Sequence, residues 1–294
     1  VTFCDIDSEN YLIDFNKITE LLQQSPKGYY KGIVVVDFAG YPVNLEDLRK
    51  IADKYELWII EDACHAPGGY FIDSKNEKQY CGNGKFAELA VFSFHPVKHI
   101  ATGEGGMVTT NNPALYEKLC LYRSHGITKE SAKLHENHGG WYYEMQELGF
   151  NYRLTDFQAA LGISQLERAN WGLEKRQQIA QRYTEAFSKI KGIKTPVVEA
   201  NVYHAYHLYI IQVEDREGLY NFLRDNKIYT QVHYIPVHTL PYYQQSGNKK
   251  NSLPVAEEYY DHCLSLPMYP ALEREEQEYV IDKILEFVKN HSTK

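Results

Sequence analysis

Short apolar runs alternate with amphipathic stretches through the first half of the chain, and that alternation predicts its elements. Ile33 to Phe38 has the length and β-branched content of a buried strand, and Gly40-Tyr41-Pro42 breaks it. Asn44 then caps a helix through Tyr55 that carries Leu45, Leu48, Ile51, Ala52 and Tyr55 on one face. Leu57-Trp58-Ile59-Ile60 follows as a second strand, because four consecutive apolar residues suit a sheet covered on both faces. The two strands should be parallel, joined through the helix. Leu89 to Phe92 is a third such run, ending at Ser93, and Met107 to Thr110 is a short strand. Gly68-Gly69-Tyr70 and Asp73 to Asn76 read as turns, and the chain opens on a strand-like stretch.

Asn112-Pro113 opens a helix with cap and proline in the favoured order, with Leu115, Leu119 and Tyr122 turned inward. Ser124 to Glu147 is polar, rich in His and Gly, and long for a loop, which marks a functional or mobile segment. Thr155 and Gln158 form a capping box for a helix with Phe157, Ala160, Leu161 and Ser164 along one side. A further helix runs from Leu173 to Ile190. After Pro196 the texture changes: strands at Tyr206 to Ile211 and Ile228 to Val232, a helix at Gly218 to Asn226, and a closing helix from Glu273 to His291. The pattern predicts an α/β chain, with a large α/β domain over 1–168 and a small C-terminal α+β domain over 169–294.

Composition narrows what such a chain does. At 44% hydrophobic and 24% charged it reads as a soluble globular protein of 294 residues, and a net charge of -8 argues against general binding to nucleic acid or anionic membrane. Five cysteines without C-x-x-C spacing suit reduced thiols in a cytoplasm better than a disulfide framework. No basic or apolar leader begins the sequence, and no segment has the length to span a bilayer. The first residue is Val1, and the sequence reads as a fragment that lacks an N-terminal portion.

Candidate chemistry gathers where the apolar runs stop. The second strand ends in Glu61-Asp62, the third in Ser93, and Lys98 follows five residues on. Ligands in open α/β sheets sit beyond the carboxyl ends of the strands, so Asp62 and Ser93 should share one crevice. A lysine and an acid there are the two protein groups that pyridoxal-phosphate chemistry needs: one condenses with the aldehyde, the other keeps the pyridine nitrogen protonated. Ser93 has a hydroxyl to give to the phosphate. A solvated loop lysine and a capping aspartate would look the same on these residues alone.

The surrounding text decides. Glu61-Asp62-Ala63-Cys64-His65-Ala66, Phe92-Ser93-Phe94-His95-Pro96-Val97-Lys98, Glu104-Gly105-Gly106 and Gly149-Phe150-Asn151-Tyr152-Arg153-Leu154-Thr155-Asp156 together resemble the DegT-type sugar aminotransferases, in order and nearly end to end. Phe94-His95-Pro96-Val97-Lys98, Trp141 to Met145 and Gln231 to Tyr234 most resemble the branch that makes the 4-amino altrosamine precursor of pseudaminic acid.

The resemblance implies fold type I of the pyridoxal-phosphate-dependent transferases, the aspartate aminotransferase-like fold, with glutamate as amino donor and a UDP-linked keto sugar as acceptor. It implies catalytic Lys98, Asp62 and His65, with His65 against the cofactor. It implies a homodimer in which Asn151 reaches the partner's cofactor phosphate, with Arg153 nearby. It brings Gln231, His233 and Tyr234 to the nucleotide sugar from the small domain.

Other readings of the same residues are weaker. His233 and His238, with His204 and His207, lack the spacing of a zinc site, and Pro236 keeps the first two off one helix face. Gly103-Glu104-Gly105-Gly106 lacks the G-x-G-x-x-G spacing of a dinucleotide loop and reads instead as backbone passing close beneath the lysine. Sugar dehydratases related to these aminotransferases carry histidine where Lys98 stands, so the lysine favours amino transfer over that alternative. A chain that only binds sugar nucleotides is the remaining rival.

Overall fold

The computed structural model describes residues 1–291, so the last three residues of the expected small domain lie outside the described residues. Asp14, which accepts from the Asn16 and Lys17 amides, caps α1 (Phe15–Gln24), whose Ile18 and Leu22 turn inward. This helix stands where the sequence offered only a strand-like start; the sole pairing there is a bridge between Ile6 and Ile13. Strand β1 (Gly32–Val36) leads through a tight turn at Phe38–Gly40 into α2 (Leu45–Tyr55), capped by Asn44 as expected. Then come β2 (Trp58–Asp62), the hairpin β3 (Tyr70–Ile72) and β4 (Lys78–Tyr80), β5 (Leu89–Ser93) and β6 (Gly106–Thr109). The turn at Asp73 to Asn76 is that hairpin's tip, but Tyr70 belongs to its first strand, because Tyr203 extends the pairing from far along the chain.

The main sheet runs β1-β2-β5-β6, with β1, β2 and β5 parallel and β6 antiparallel. Val35 and Ile59 point to the face that α1 and α2 cover, where they join Leu45, Leu48 and Ala52 in one core. The other face departs from the expected two-sided burial: Val34, Val36, Trp58 and Val108 are exposed. An apolar run shows that both faces want cover; it does not show what supplies it.

Helix α3 (Pro113–Arg123) has the Asn112 cap and leading proline, yet none of its residues is buried, and Leu115, Leu119 and Tyr122 are only partly covered. The polar segment after it holds only the short pair β7 (Ile127–Thr128) and β8 (Glu144–Met145). Helix α4 (Asp156–Glu167) forms behind the predicted Thr155–Gln158 capping box, and α5 (Ala169–Phe187) begins four residues before the predicted start.

The strands of the C-terminal region pair antiparallel. Strands β9 (Ile193–Lys194), β10 (Val202–Tyr203) and β11 (Tyr209–Val213) precede α6 (Arg216–Asp225), α7 (Pro241–Gln244), α8 (Pro254–His262), β12 (Cys263–Leu266) and α9 (Arg274–His291). Residues 228–232 do not form the expected strand: only Gln231 pairs, by one bridge to Ser265. The sheet β12-β11-β9 carries a second core with α5, α6 and α9, centred on Tyr183, Phe187, Tyr209 and Ile284. Phe187 is fully buried and stacks on Tyr183. Phe187→Ala should lower the unfolding free energy by about 3–5 kcal/mol, read from urea transitions, since the cavity has little room to collapse.

Candidate active site

Register brings the acid and the hydroxyl together. Strands β2 and β5 are parallel neighbours with Asp62 opposite Val91, so Ser93 lies two residues further along the same edge. The Ser93 hydroxyl accepts from the His95 amide at 3.3 Å, and Asp62 Oδ1 accepts from the Cys64 amide at 3.1 Å. Lys98 stands on the loop joining the antiparallel β5 and β6. That loop is closed by Phe94 N–H to Gly105 O (2.8 Å) and Thr102 N–H to Phe94 O (2.9 Å), and Lys98 N–H donates to His95 O (2.9 Å). The Gln158 amide donates to Glu104 O at 2.8 Å, so the capping box of α4 also anchors the lysine's loop. The glycines there do a different job from the one expected. A Cβ on Gly105, whose φ is +149°, would lie 2.6 Å from Thr102 Oγ1, so the close approach is to Thr102 rather than to the lysine.

Burial lowers the proton affinity of half-buried Lys98, against the pull of Cys64 and Asp62. Desolvation, rather than a neighbouring cation, is thus what shifts the lysine toward its nucleophilic form. His65 is pushed down to about 3 by burial, then by Lys98 and His233. Its Nδ1 accepts from the Ala39 amide at 3.3 Å, which places the proton of the neutral ring on Nε2, 3.5 Å from the Tyr234 hydroxyl. Burial and Asp62 raise the Tyr234 phenol. Burial and Lys98 lower His233, whose Nδ1 lies 2.7 Å from Ser265 Oγ.

Lys98, Asp62, His65, His233 and Tyr234 are therefore brought together from three segments, the third more than a hundred residues beyond the other two. Asn151, Arg153 and Gln231 are exposed; Asn151 and Gln231 are fixed through backbone bridges to Ser124 and Ser265. Two rings behind His65 were not assigned to the site on sequence. His207 packs 4.4 Å from it and His99 5.6 Å from His207, centroid to centroid. Arg176 Nη1 clamps that segment by donating to the carbonyls of Tyr206, His207 and Met268 at 3.0–3.1 Å. Three of the four histidines weighed for zinc are separately committed, His238 to Glu257 at 2.9 Å, His204 Nδ1 to the Tyr206 amide at 2.8 Å and His233 to Ser265, while His207 Nδ1 is buried without a hydrogen-bond partner among the described residues.

Burial holds His204 at about 3 as well, and pushes His207 down too. Each ring takes a proton in the unfolded chain near pH 6.5 and refuses it in the fold, so their contribution is present above 6.5 and lost as pH falls toward 3. Melting temperature should decline steadily from pH 6.5 to pH 4 in calorimetry. The His65 and His204 rings should show no titration over that range by NMR.

Solved relatives share this architecture. PseC of Helicobacter pylori, an aminotransferase involved in the biosynthesis of pseudoaminic acid, superposes with a TM-score of 0.86 at 31% identity, covering 98% of this chain and 74% of that one. DesV of S. venezuelae, solved in complex with a ketimine intermediate, gives 0.84 at 28% identity, covering 97% and 71%. The fold is that of the pyridoxal-phosphate-dependent aminotransferases, an α/β sheet with its chemistry at the strand ends. The profile of the DegT/DnrJ/EryC1/StrS aminotransferase family matches residues 1–285, and the chain belongs to that family. Among curated relatives, the UDP-4-amino-4,6-dideoxy-N-acetyl-beta-L-altrosamine transaminase of Campylobacter jejuni (strain NCTC 11168) is 36% identical over 298 residues, 98% of this chain and 74% of that protein. The spore coat polysaccharide biosynthesis protein SpsC of Bacillus subtilis is 35% identical over 295 residues, 98% and 73%. No helix among the described residues is long and apolar enough to cross a membrane.

Family membership implies pyridoxal phosphate, and the residues present fit it. A desolvated lysine, a strand-end carboxylate and a neutral imidazole with a fixed tautomer meet at one edge of the sheet.

Proposed function

We propose that this chain transfers an amino group from glutamate to C4 of a UDP-linked 4-keto-6-deoxy sugar, giving UDP-4-amino-4,6-dideoxy-N-acetyl-beta-L-altrosamine, with Lys98, Asp62 and His65 as its catalytic residues. The observation that carries the reading is the meeting of Lys98 with Asp62, His65 and His233, with Tyr234 beside Asp62 and His65. Bound there, pyridoxal phosphate would supply the electron sink that lets a proton leave the carbon bearing nitrogen. Lys98 Nζ takes that proton and returns it, Asp62 holds a proton at the pyridine nitrogen, and His65 packs against the ring. Ser93 and the partner's counterpart of Asn151 hold the phosphate, while Arg153, Gln231, His233 and Tyr234 bind the sugar nucleotide. Incubation with the keto sugar and glutamate should release one 2-oxoglutarate per amino sugar formed, followed by mass spectrometry. Absence of 2-oxoglutarate with every nucleotide-linked keto sugar tried would remove the reading.

We place this chemistry in a cytoplasmic homodimer of chains divided at about residue 168. Support for the division comes from the separate cores of α1–α2 and α5–α9, and for the setting from five free cysteines. Support for the dimer comes from α4 and its approach, where Leu148, Phe150, Tyr152, Phe157, Ile163 and Leu166 are all more than half exposed; Phe157 is 91% exposed. Such a dimer would be two-fold, with each site completed by its partner. Lys98→Ala and Asn151→Ala chains, each inactive alone, should regain about a quarter of wild-type activity when mixed and refolded, because half the chains form hybrids with one whole site. No recovery in mixtures proven to contain hybrids would return Asn151 to its own chain.

A further inference from the structure

Behind the strand ends, on the face away from Asp62, three acidic side chains are shut together. Asp37 follows β1, Glu61 precedes Asp62 in β2, and Cys81 follows β4; one ligand atom from each lies within 4.8 Å of the other two. The Asp37 and Glu61 side chains are 0% and 1% exposed. Both Glu61 oxygens accept from the Gly82 amide, at 2.9 and 3.0 Å, and Asp37 Oδ1 accepts from the Val43 amide at 2.8 Å. Asp37 Oδ2 is buried and receives no donor.

The titratable groups facing Asp37 are Glu61 from β2, Cys81 after β4, and Cys64 beyond β2, and none of them is a cation. Two carboxylates in one dry site cannot both ionise. The cluster needs one positive charge, and its hydrogen bonds leave one position for it, at Asp37 Oδ2.

We propose that Asp37 is the neutral acid, that its Oδ2–H donates to Glu61, and that this shared proton makes Asp37 a positioning residue for His65. The connection is short. Asp37 N–H donates to Asp62 O at 3.0 Å, and Asp37 O accepts from the Gly40 amide at 3.1 Å, closing the tight turn. Inside that turn Ala39 has φ +57°, a left-handed conformation that an alanine keeps only when held. Its N–H goes to His65 Nδ1 and its O accepts from Leu208 N–H at 3.1 Å. Gly40 leaves no slack: a Cβ there would sit 2.8 Å from Tyr206 N and 2.9 Å from His65 O. Loss of the proton sets two like charges against each other at the root of the turn, and His65 loses the donor that fixes its tautomer.

Burial first, and the Glu61 carboxylate second, raise Asp37 well above the ordinary aspartate range; burial raises Glu61 as well, and the hydrogen bond between the two works to raise Asp37 and to lower Glu61. The sign follows. A proton held more tightly in the fold than in the unfolded chain stabilises fully below the unfolded value of about 4, and that contribution disappears as pH rises through the folded value. Asp37→Asn replaces the O–H by an amide N–H that also donates to Glu61, and removes the dependence.

Infrared spectra and melting curves of the protein without cofactor or sugar test this, so that a failed amino-transfer reading would leave the result standing; only the catalytic consequence of His65 rests on that reading. The wild type should show the carbonyl band of an un-ionised buried carboxylic acid at neutral pH, absent in Asp37→Asn. The melting temperature of Asp37→Asn should equal or exceed that of the wild type above neutral pH, with the gap widening as pH rises. Should that variant fail to fold, Glu61→Gln serves: Asp37 then ionises against the amide, and the band should vanish there too. A wild type without the band, melting curves that stay parallel at every pH, or a stoichiometric divalent cation found on Asp37, Glu61 and Cys81 by metal analysis would each overturn the proposal.

Discussion

Lys98→Ala should abolish amino transfer and leave the fold intact. The lysine stands on a loop whose closure is made by backbone atoms of Phe94, His95, Thr102 and Gly105, so the side chain holds nothing in place. Its removal also relieves the burial of a cation. The unfolding free energy should stay within about 1 kcal/mol of the parent. Activity should fall below detection, because the proton-transfer role alone is worth roughly 10²–10⁴-fold and the covalent role is lost with it. Turnover by the alanine protein in a 2-oxoglutarate assay, at even a tenth of the parent rate, would show that another group does the chemistry.

Asp62→Asn has the second largest effect, and a different signature. The substitution keeps the shape and an oxygen to accept from the Cys64 amide, so strand β2 and its end should survive. What goes is the negative charge at the strand end. A preorganised charge facing the developing charge of a reaction is worth about 10²–10³-fold in rate, so kcat should fall by that factor. Cofactor affinity, measured by fluorescence titration, should change far less. Equal losses in rate and affinity would make Asp62 a binding residue only.

Much of the first half of the fold was legible because its signals are local. The Asn44 cap, the Asn112-Pro113 start and the Thr155–Gln158 box each sit within four residues of what they control, and all three form as read. Helix α1 was missed although its signal was equally local: Asp14 stands before an amphipathic stretch and looks like one more acidic residue in a polar run. Residues 228–232 read as a strand by their β-branched content, but only Gln231 finds an edge to pair with. Propensity says what a segment suits, while pairing depends on a partner elsewhere in the chain.

The site divides in the same way. Asp62, Ser93 and Lys98 lie within forty residues on adjacent elements, and strand-end geometry was enough to group them. Tyr234 and His233 reach the same place only through folding of the C-terminal half, so they entered through likeness to a family rather than through spacing. His207 and His99 had no motif at all: a buried imidazole packed on another leaves no trace in sequence. Asp37 was read as part of the strand from Ile33 to Phe38, and its meaning depends on Glu61 and Cys81 arriving from two other strands.

Glu61 and Asp62 are neighbours in one strand, and the pleat sends them to opposite faces, one into the covered core and one to the crevice. The two acids are chemically alike and cannot trade places. A deletion or insertion of a single residue anywhere between Trp58 and Asp62 would turn each toward the other's surroundings. Descendants of this chain can therefore drift in the sequence of β2 but not in its phase: the strand tolerates changes of letter and forbids changes of count.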